Sequence, residues 1–126
     1  MARILIAEDD LAVRTFVTRA LTHRGFHVTA VHDGAGALEM LESESFDLLV
    51  SDVVMPGLDG IGLALKVTVD RPDLPVLLMT GFSAERQRAH NLDELICAVL
   101  VKPFTLKQVC EVVEDTLGLS SVQRLS

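Results

Sequence analysis

A chain of 126 residues with 49% hydrophobic content is most simply one domain with one real core, and that composition argues against disorder. A formal net charge of -7 argues against a nucleic-acid footprint, which would need a basic face. No apolar run approaches the roughly 20 residues needed to span a bilayer, so no membrane is expected.

Met1-Ala2-Arg3 runs straight into a first strand, Arg3 to Ala7, which predicts a chain without a secretory leader and a cytoplasmic location. The strand is nearly all apolar, as expected when both faces are covered. Three acids follow at once: Glu8, Asp9 and Asp10. A helix comes next, with Val13, Phe16, Val17, Ala20 and Leu21 on one stripe and Gly25 as its stop. His27 to Val31 reads as a second strand near the sheet edge. Asp33-Gly34 has the composition of a hairpin turn, but a helix cap suits it better, because Ala37, Leu38 and Leu41 then keep helical spacing.

Phe46 to Ser51 is the third strand, leading directly to Asp52 and then to a Pro56-Gly57 turn. Ile61, Ala64, Leu65 and Thr68 mark a third helix closed off by Pro72 and Pro75. Val76 to Met79 is the fourth strand, ending in Thr80-Gly81. Ser83 to Asn91 is mostly polar and predicts a short helix of low local stability. Ile96 to Val101 is the fifth strand, ending in Lys102-Pro103-Phe104. Thr105 caps a last helix with Leu106, Val109, Val112, Val113 and Leu117 as its buried stripe, and Gly118 ends it. Residues 119–126 lack periodicity and form a tail expected to fray. Cys97 and Cys110 have neither C-x-x-C nor zinc-like spacing and read as small buried hydrophobes. His23, His27, His32 and His90 are scattered and receive no function.

Five alternations of strand and helix predict a parallel sheet with helices on both faces. Ligands in such sheets bind outside the carboxyl ends of the strands. Those ends carry Glu8-Asp9-Asp10, Asp52, Thr80 and Lys102. Each alone is weak evidence, since acids end strands often and a lysine before proline is usually just solvated. Together they form a coherent set. Two carboxylates about 4 Å apart repel by roughly 4 kcal/mol at an effective dielectric near 20, so converging acids require a cation. Lys102 supplies one charge, too few for three acids. Carboxylate oxygens with water access suit Mg²⁺, which keeps several waters and leaves room for phosphate oxygens. Asp52 can then act as a nucleophile on phosphorus, with Thr80 and Lys102 donating to the new phosphate.

These residues carry a resemblance. Glu8-Asp9, Asp52-x-x-Met55-Pro56-x-x-Asp59-Gly60, Thr80 and Lys102-Pro103-Phe104 are similar to the motifs of the receiver domain of two-component response regulators, over essentially the whole chain. The resemblance implies a doubly wound, flavodoxin-like α/β sheet of five parallel strands in the order 2-1-3-4-5. It implies Asp52 as phosphoacceptor, Thr80 and Lys102 as its catalytic partners, and Mg²⁺ held by Asp9 and Asp52, by Glu8 through water and by the main-chain carbonyl of Val54. It also implies a cis Lys102-Pro103 bond, and a histidine kinase or histidine phosphotransfer protein as donor. Such a protein is not a turnover enzyme, although it catalyses its own phosphotransfer and a slow autodephosphorylation. Residues 1–118 would be the receiver, with 119–126 a tail and no output domain. Its output would then lie on a surface, implied to be the segment at 83–91, the fifth strand and the last helix, where a downstream protein binds.

Two positions depart from the family pattern. Val99 stands where a switch aromatic is usual. Val54 and Phe82 would flank the attacking water with apolar groups, which implies a long-lived aspartyl phosphate. The chain particularly resembles small stand-alone receivers of cell-cycle circuits, through Thr80-Gly81-Phe82 and Val99-Leu100-x-Lys102-Pro103-Phe104; some of those control substrate delivery to a protease. The alternatives are a phosphorelay intermediate, a degenerate receiver acting as an interaction module and, far below, a flavodoxin-like cofactor binder. The last would need a hydroxyl- and glycine-rich loop where this chain has three acids.

Overall fold

The structure, a computed structural model, describes residues 2–81 and 98–118. Its elements are β1 (Arg3–Ala7), α1 (Leu11–His23), β2 (His27–Val31), α2 (Gly34–Ser43), β3 (Leu48–Asp52), α3 (Gly60–Asp70), β4 (Val76–Thr80), β5 (Ala98–Val101) and α4 (Leu106–Thr116). All strand pairs are parallel, in the order β2-β1-β3-β4-β5. The expected short helix at 83–91 and the expected first residues of the fifth strand, 96–97, lie outside the described residues, as do Cys97 and the 119–126 tail.

Strand composition follows sheet position. The central strands β3 and β4 are buried at every residue, whereas β2, at one edge, has only exposed and half-buried positions. Successive side chains point to opposite faces, so the core divides in two. Leu5, Ala7, Leu49 and Leu78 pack under α2 and α3 with Ala37, Leu41, Ala64 and Val67. Ile4, Ile6, Val50, Leu77 and Met79 pack under α1 and α4 with Val17, Leu21, Val109 and Val113. Burial on both faces is why these strands are continuous apolar runs. Cys110 is a free, buried thiol in the second layer, where burial first of all pushes its pKa up.

Several expected boundaries and contacts shift. β3 begins at Leu48, because Phe46 and Asp47 form the loop in which the Asp47 N–H reaches the Arg3 carbonyl at 2.7 Å. Asp52 and Thr80 are themselves the last strand residues. Leu65 is exposed, since the α3 stripe runs through Ile61, Ala64 and Val67 and Leu65 sits beside it. Leu106 is exposed at the first residue of α4. Phe16 is 38% exposed and instead tilts against Phe104, with ring centroids 6.2 Å apart.

Helix caps follow the sequence closely. Asp33 accepts from the Gly36 N–H at 2.7 Å, which decides for the cap over the hairpin. Thr105 and Gln108 form a reciprocal capping box on α4, with distances of 2.8 and 3.1 Å. Thr105→Ala removes one acceptor from that pair and is expected to lower stability by about 1 kcal/mol. A shift in urea midpoint at unchanged slope checks this; no shift would mean the box contributes nothing in this fold.

Candidate functional site

Strand alternation decides which polar residues meet. Ile4 and Ile6 face the α1/α4 layer, and the next residue of that parity is Glu8. Leu48 and Val50 lead in the same way to Asp52, and Leu100 leads to Lys102. The two carboxylates and the ammonium are the polar continuation of one core face. Glu8 is fully buried and Asp52 nearly so. Lys102 Nζ donates to both, at 2.8 Å to Asp52 Oδ1 and 3.1 Å to Glu8 Oε1. Carboxylate oxygens of Glu8, Asp9 and Asp52 lie within 4.8 Å of one another, and Asp9 is exposed. An open cleft of roughly 570 Å³ above them is also lined by Asp10, Val54, Gly81 and Pro103.

The acidic loop is fixed by its own backbone. The Glu8 N–H reaches the Val31 carbonyl at 3.1 Å, and Glu8 Oε2 accepts from the Asp10 N–H at 3.2 Å. The Asp10 carboxylate accepts from the N–H groups of Ala12 and Val13, at 2.8 and 3.1 Å, and so caps α1. Asp10 therefore serves the helix, where in sequence it stood only as the third acid of the run. The Asp52 backbone is held as closely: the Ser51 hydroxyl donates to the Asp52 carbonyl at 3.0 Å.

Thr80 occupies the neighbouring strand end with the opposite parity, that of Val76 and Leu78. Its hydroxyl is buried and, among the described residues, has no hydrogen-bond partner. A buried, uncommitted donor of this kind calls for an explanation. The main chains do meet, since the Lys102 N–H donates to the Thr80 carbonyl at 2.7 Å. The Lys102-Pro103 peptide is cis, as expected.

The electrostatics are those of crowded acids. Burial pushes the Glu8 carboxyl up from 4.5 to about 7; the Asp10 N–H opposes this, the Asp52 charge adds to it, and Lys102 works against it. Burial disfavours the charged form of Lys102, but the hydrogen bonds and charges of Asp52 and Glu8 outweigh that and raise its pKa. A carboxyl with a raised folded-state pKa binds its proton more tightly folded than unfolded. The Glu8 contribution to metal-free stability should therefore be full below about pH 4.5 and be lost as the pH rises through about 7. Glu8→Gln should abolish this fall and leave the variant more stable at pH 8, by on the order of 2–3 kcal/mol. Urea midpoints with chelator between pH 4.5 and 8 test it, and equal slopes in the two proteins would contradict it.

Residues 4–114 match the response regulator receiver domain family. The chain belongs to that family. It is 43% identical over 117 residues to the response regulator receiver protein CpdR of Brucella abortus, covering 93% of this chain and 98% of that protein. It is 40% identical to the response regulator MprA of Mycobacterium ulcerans, spanning about half (46%) of that longer protein. Among solved structures it is similar to TrrA of Thermotoga maritima in complex with Mg²⁺-BeF, with a TM-score of 0.83, 26% identity, and coverage of 92% of this chain and 99% of that one. The chemotaxis response regulator CheY4 of Vibrio cholerae is similar at a TM-score of 0.84 and 25% identity, covering 92% and 98%.

The chain is thus a receiver domain of two-component signalling with the flavodoxin-like fold. Receiver domains are phosphoryl-accepting signalling modules, bind Mg²⁺ at an acidic site, and work with kinase or phosphotransfer partners and downstream targets. This receiver's cleft fits such an ion. Its donors are hard carboxylate oxygens, two of its three acids are buried, and the Lys102 ammonium is already shared between two of them. Val99, at the usual aromatic position, is half-buried and packs against the α2/α3 layer. No described helix of this receiver is long and apolar enough to cross a membrane.

Proposed function

We propose that this protein is a response regulator whose receiver, residues 1–118, accepts a phosphoryl group on Asp52 from a phosphohistidine of a histidine kinase or phosphotransfer protein. The observation that carries this reading is the Lys102 ammonium held between Asp52 and Glu8, with Asp9 completing an acidic cluster at the mouth of an open cleft. In the transfer, an Asp52 carboxylate oxygen forms a bond to phosphorus as the P–N bond breaks, and the electron pair leaves with the imidazole nitrogen. Lys102 balances charge on the phosphoryl oxygens, and the Thr80 hydroxyl, without a partner among the described residues, becomes a donor to one of them. Asp9 and Asp52, Glu8 through water and the Val54 carbonyl would hold Mg²⁺, which supplies charge neutralisation and orientation. The protein is a cytoplasmic switch, not a turnover enzyme. Mass spectrometry after treatment with a small-molecule phosphodonor and Mg²⁺, comparing wild type with Asp52→Ala, tests the assignment.

The output surface includes the face of β5 and α4. Val101 and Leu106 support it, being 40% and 53% exposed, apolar and close to the cleft-bordering Lys102-Pro103. A downstream protein bound there would report the phosphorylated state through its different affinity for the two forms.

Autodephosphorylation is slow. Val54 lines the cleft with an exposed, apolar side chain that cannot orient an attacking water. The phosphoprotein is expected to persist for minutes or longer in Mg²⁺, and Val54→Asn to shorten its lifetime several-fold by offering that water a partner. Decay of the wild type within seconds would refute this.

A further inference from the structure

Glu8 lies one residue beyond β1 and begins the loop that supplies two of the three clustered acids. Its main-chain carbonyl accepts from Arg14 Nη1 at 2.8 Å, across six residues of sequence. Arg14 sits in the first turns of α1, half-buried, on a helix whose start is fixed by the Asp10 cap. The guanidinium therefore ties a rigid helix to the peptide unit joining Glu8 to Asp9. The Glu8 N–H and carboxylate are engaged from different directions, the first by Val31, the second by Lys102 and the Asp10 N–H. Asp9 alone among the three acids is exposed. Its direction depends on the peptide that precedes it, and a rotation of that peptide would swing its carboxylate relative to those of Glu8 and Asp52. The fixed, planar fork of arginine holds a carbonyl in one orientation better than a lysine ammonium can.

We infer that Arg14 is a positioning residue for the divalent-cation site: its guanidinium fixes the Glu8-Asp9 peptide so that the Asp9 carboxylate converges on Glu8 and Asp52. The inference rests on the reading of that cluster as the Mg²⁺ site of the phosphoacceptor. Arg14 touches none of the reacting atoms. Its loss should weaken Mg²⁺ binding while leaving the chemical step intact once the ion is bound. Residues that orient metal ligands typically contribute 10- to 100-fold in affinity.

The test is isothermal titration calorimetry with Mg²⁺ on wild type, Arg14→Met and Arg14→Lys, together with amide hydrogen exchange at Asp9 and Asp10 in metal-free protein. Arg14→Met should bind Mg²⁺ about tenfold more weakly, with Arg14→Lys in between. Both should recover nearly the wild-type rate of phosphorylation by a small-molecule donor at saturating Mg²⁺. The two amides should exchange faster in Arg14→Met, which a metal-independent loosening of the loop requires. If Arg14→Met does not fold, the affinity and exchange of Arg14→Lys decide alone. Wild-type Mg²⁺ affinity in the folded variants would overturn the inference and leave the phosphoacceptor reading standing. No Mg²⁺ binding by the wild type would overturn both.

Discussion

Asp52→Asn is expected to remove phosphoryl acceptance altogether, with no mass increment after treatment with a phosphodonor and Mg²⁺ under conditions that label the wild type fully. The amide keeps the size and much of the hydrogen bonding of the side chain but is not a nucleophile toward phosphorus. A loss of at least 10³-fold in rate, equivalent to about 4 kcal/mol of barrier, should be measurable. The variant should remain folded. Lys102 Nζ then still has Glu8 Oε1 within 3.1 Å, and one charge leaves a crowded cluster. Lys102→Ala offers the contrast, because it keeps the nucleophile but loses the ammonium that balances charge, and it should label slowly rather than not at all. Labelling of Asp52→Asn at the wild-type rate would mean that another residue is the acceptor and would end the proposal.

Gly60→Ala should be the most damaging methyl that can be added near the site. A Cβ built on Gly60 would lie 2.0 Å from the Asp52 carbonyl oxygen, 2.9 Å from its carbonyl carbon and 3.0 Å from the Val53 Cα. All three atoms are main chain and cannot move aside as a flexible side chain can. Overpacking of this kind costs about 3 kcal/mol or more, and relief requires displacing the end of β3 or the start of α3. Displacement of the β3 end moves Asp52 relative to Lys102. The variant should therefore lose stability and, at temperatures where it is still folded, also label more slowly and bind Mg²⁺ more weakly. Gly57→Ala is the control. Gly57 has φ +75 and nothing near its missing Cβ, so it should cost about 1–2 kcal/mol of backbone strain and leave the site intact. Equal urea midpoints for the two variants would show that the close approach at Gly60 is not a constraint.

The two glycines show where sequence reading reaches its limit. Gly57 follows Pro56 and is recognisable as a turn residue from its neighbours alone. Gly60 has no positive φ and looks in sequence like an ordinary helix start. Its role exists only because the N-terminus of α3 crosses over the end of β3. Asp10 and Arg14 are similar cases. In sequence Asp10 is a third acid among acids and Arg14 a polar residue on an amphipathic helix. The fold makes one the cap of α1 and gives the other a carbonyl to hold. A cap signal was available for Asp10, since Asp is a preferred N-cap residue directly before a helix; no sequence signal marks Arg14. Leu65 and Leu106 fell on the wrong side for a related reason: apolar spacing identifies a stripe, but only the neighbouring layer fixes its width.

The sequence by itself determined the order of strands and helices, the central strands as unbroken apolar runs, and the placing of Glu8, Asp9, Asp52, Thr80 and Lys102 at strand ends. Those properties follow from local periodicity and residue chemistry, which a chain carries with it wherever it folds. The tertiary structure decided which of those ends share a face. Glu8, Asp52 and Lys102 continue the α1/α4 side of the sheet and meet through one ammonium, whereas Thr80 arrives from the other side, its hydroxyl without a partner among the described residues. The physical reason is that a strand's parity is counted from its first paired residue, and that residue is set by the neighbouring strand across the ladder.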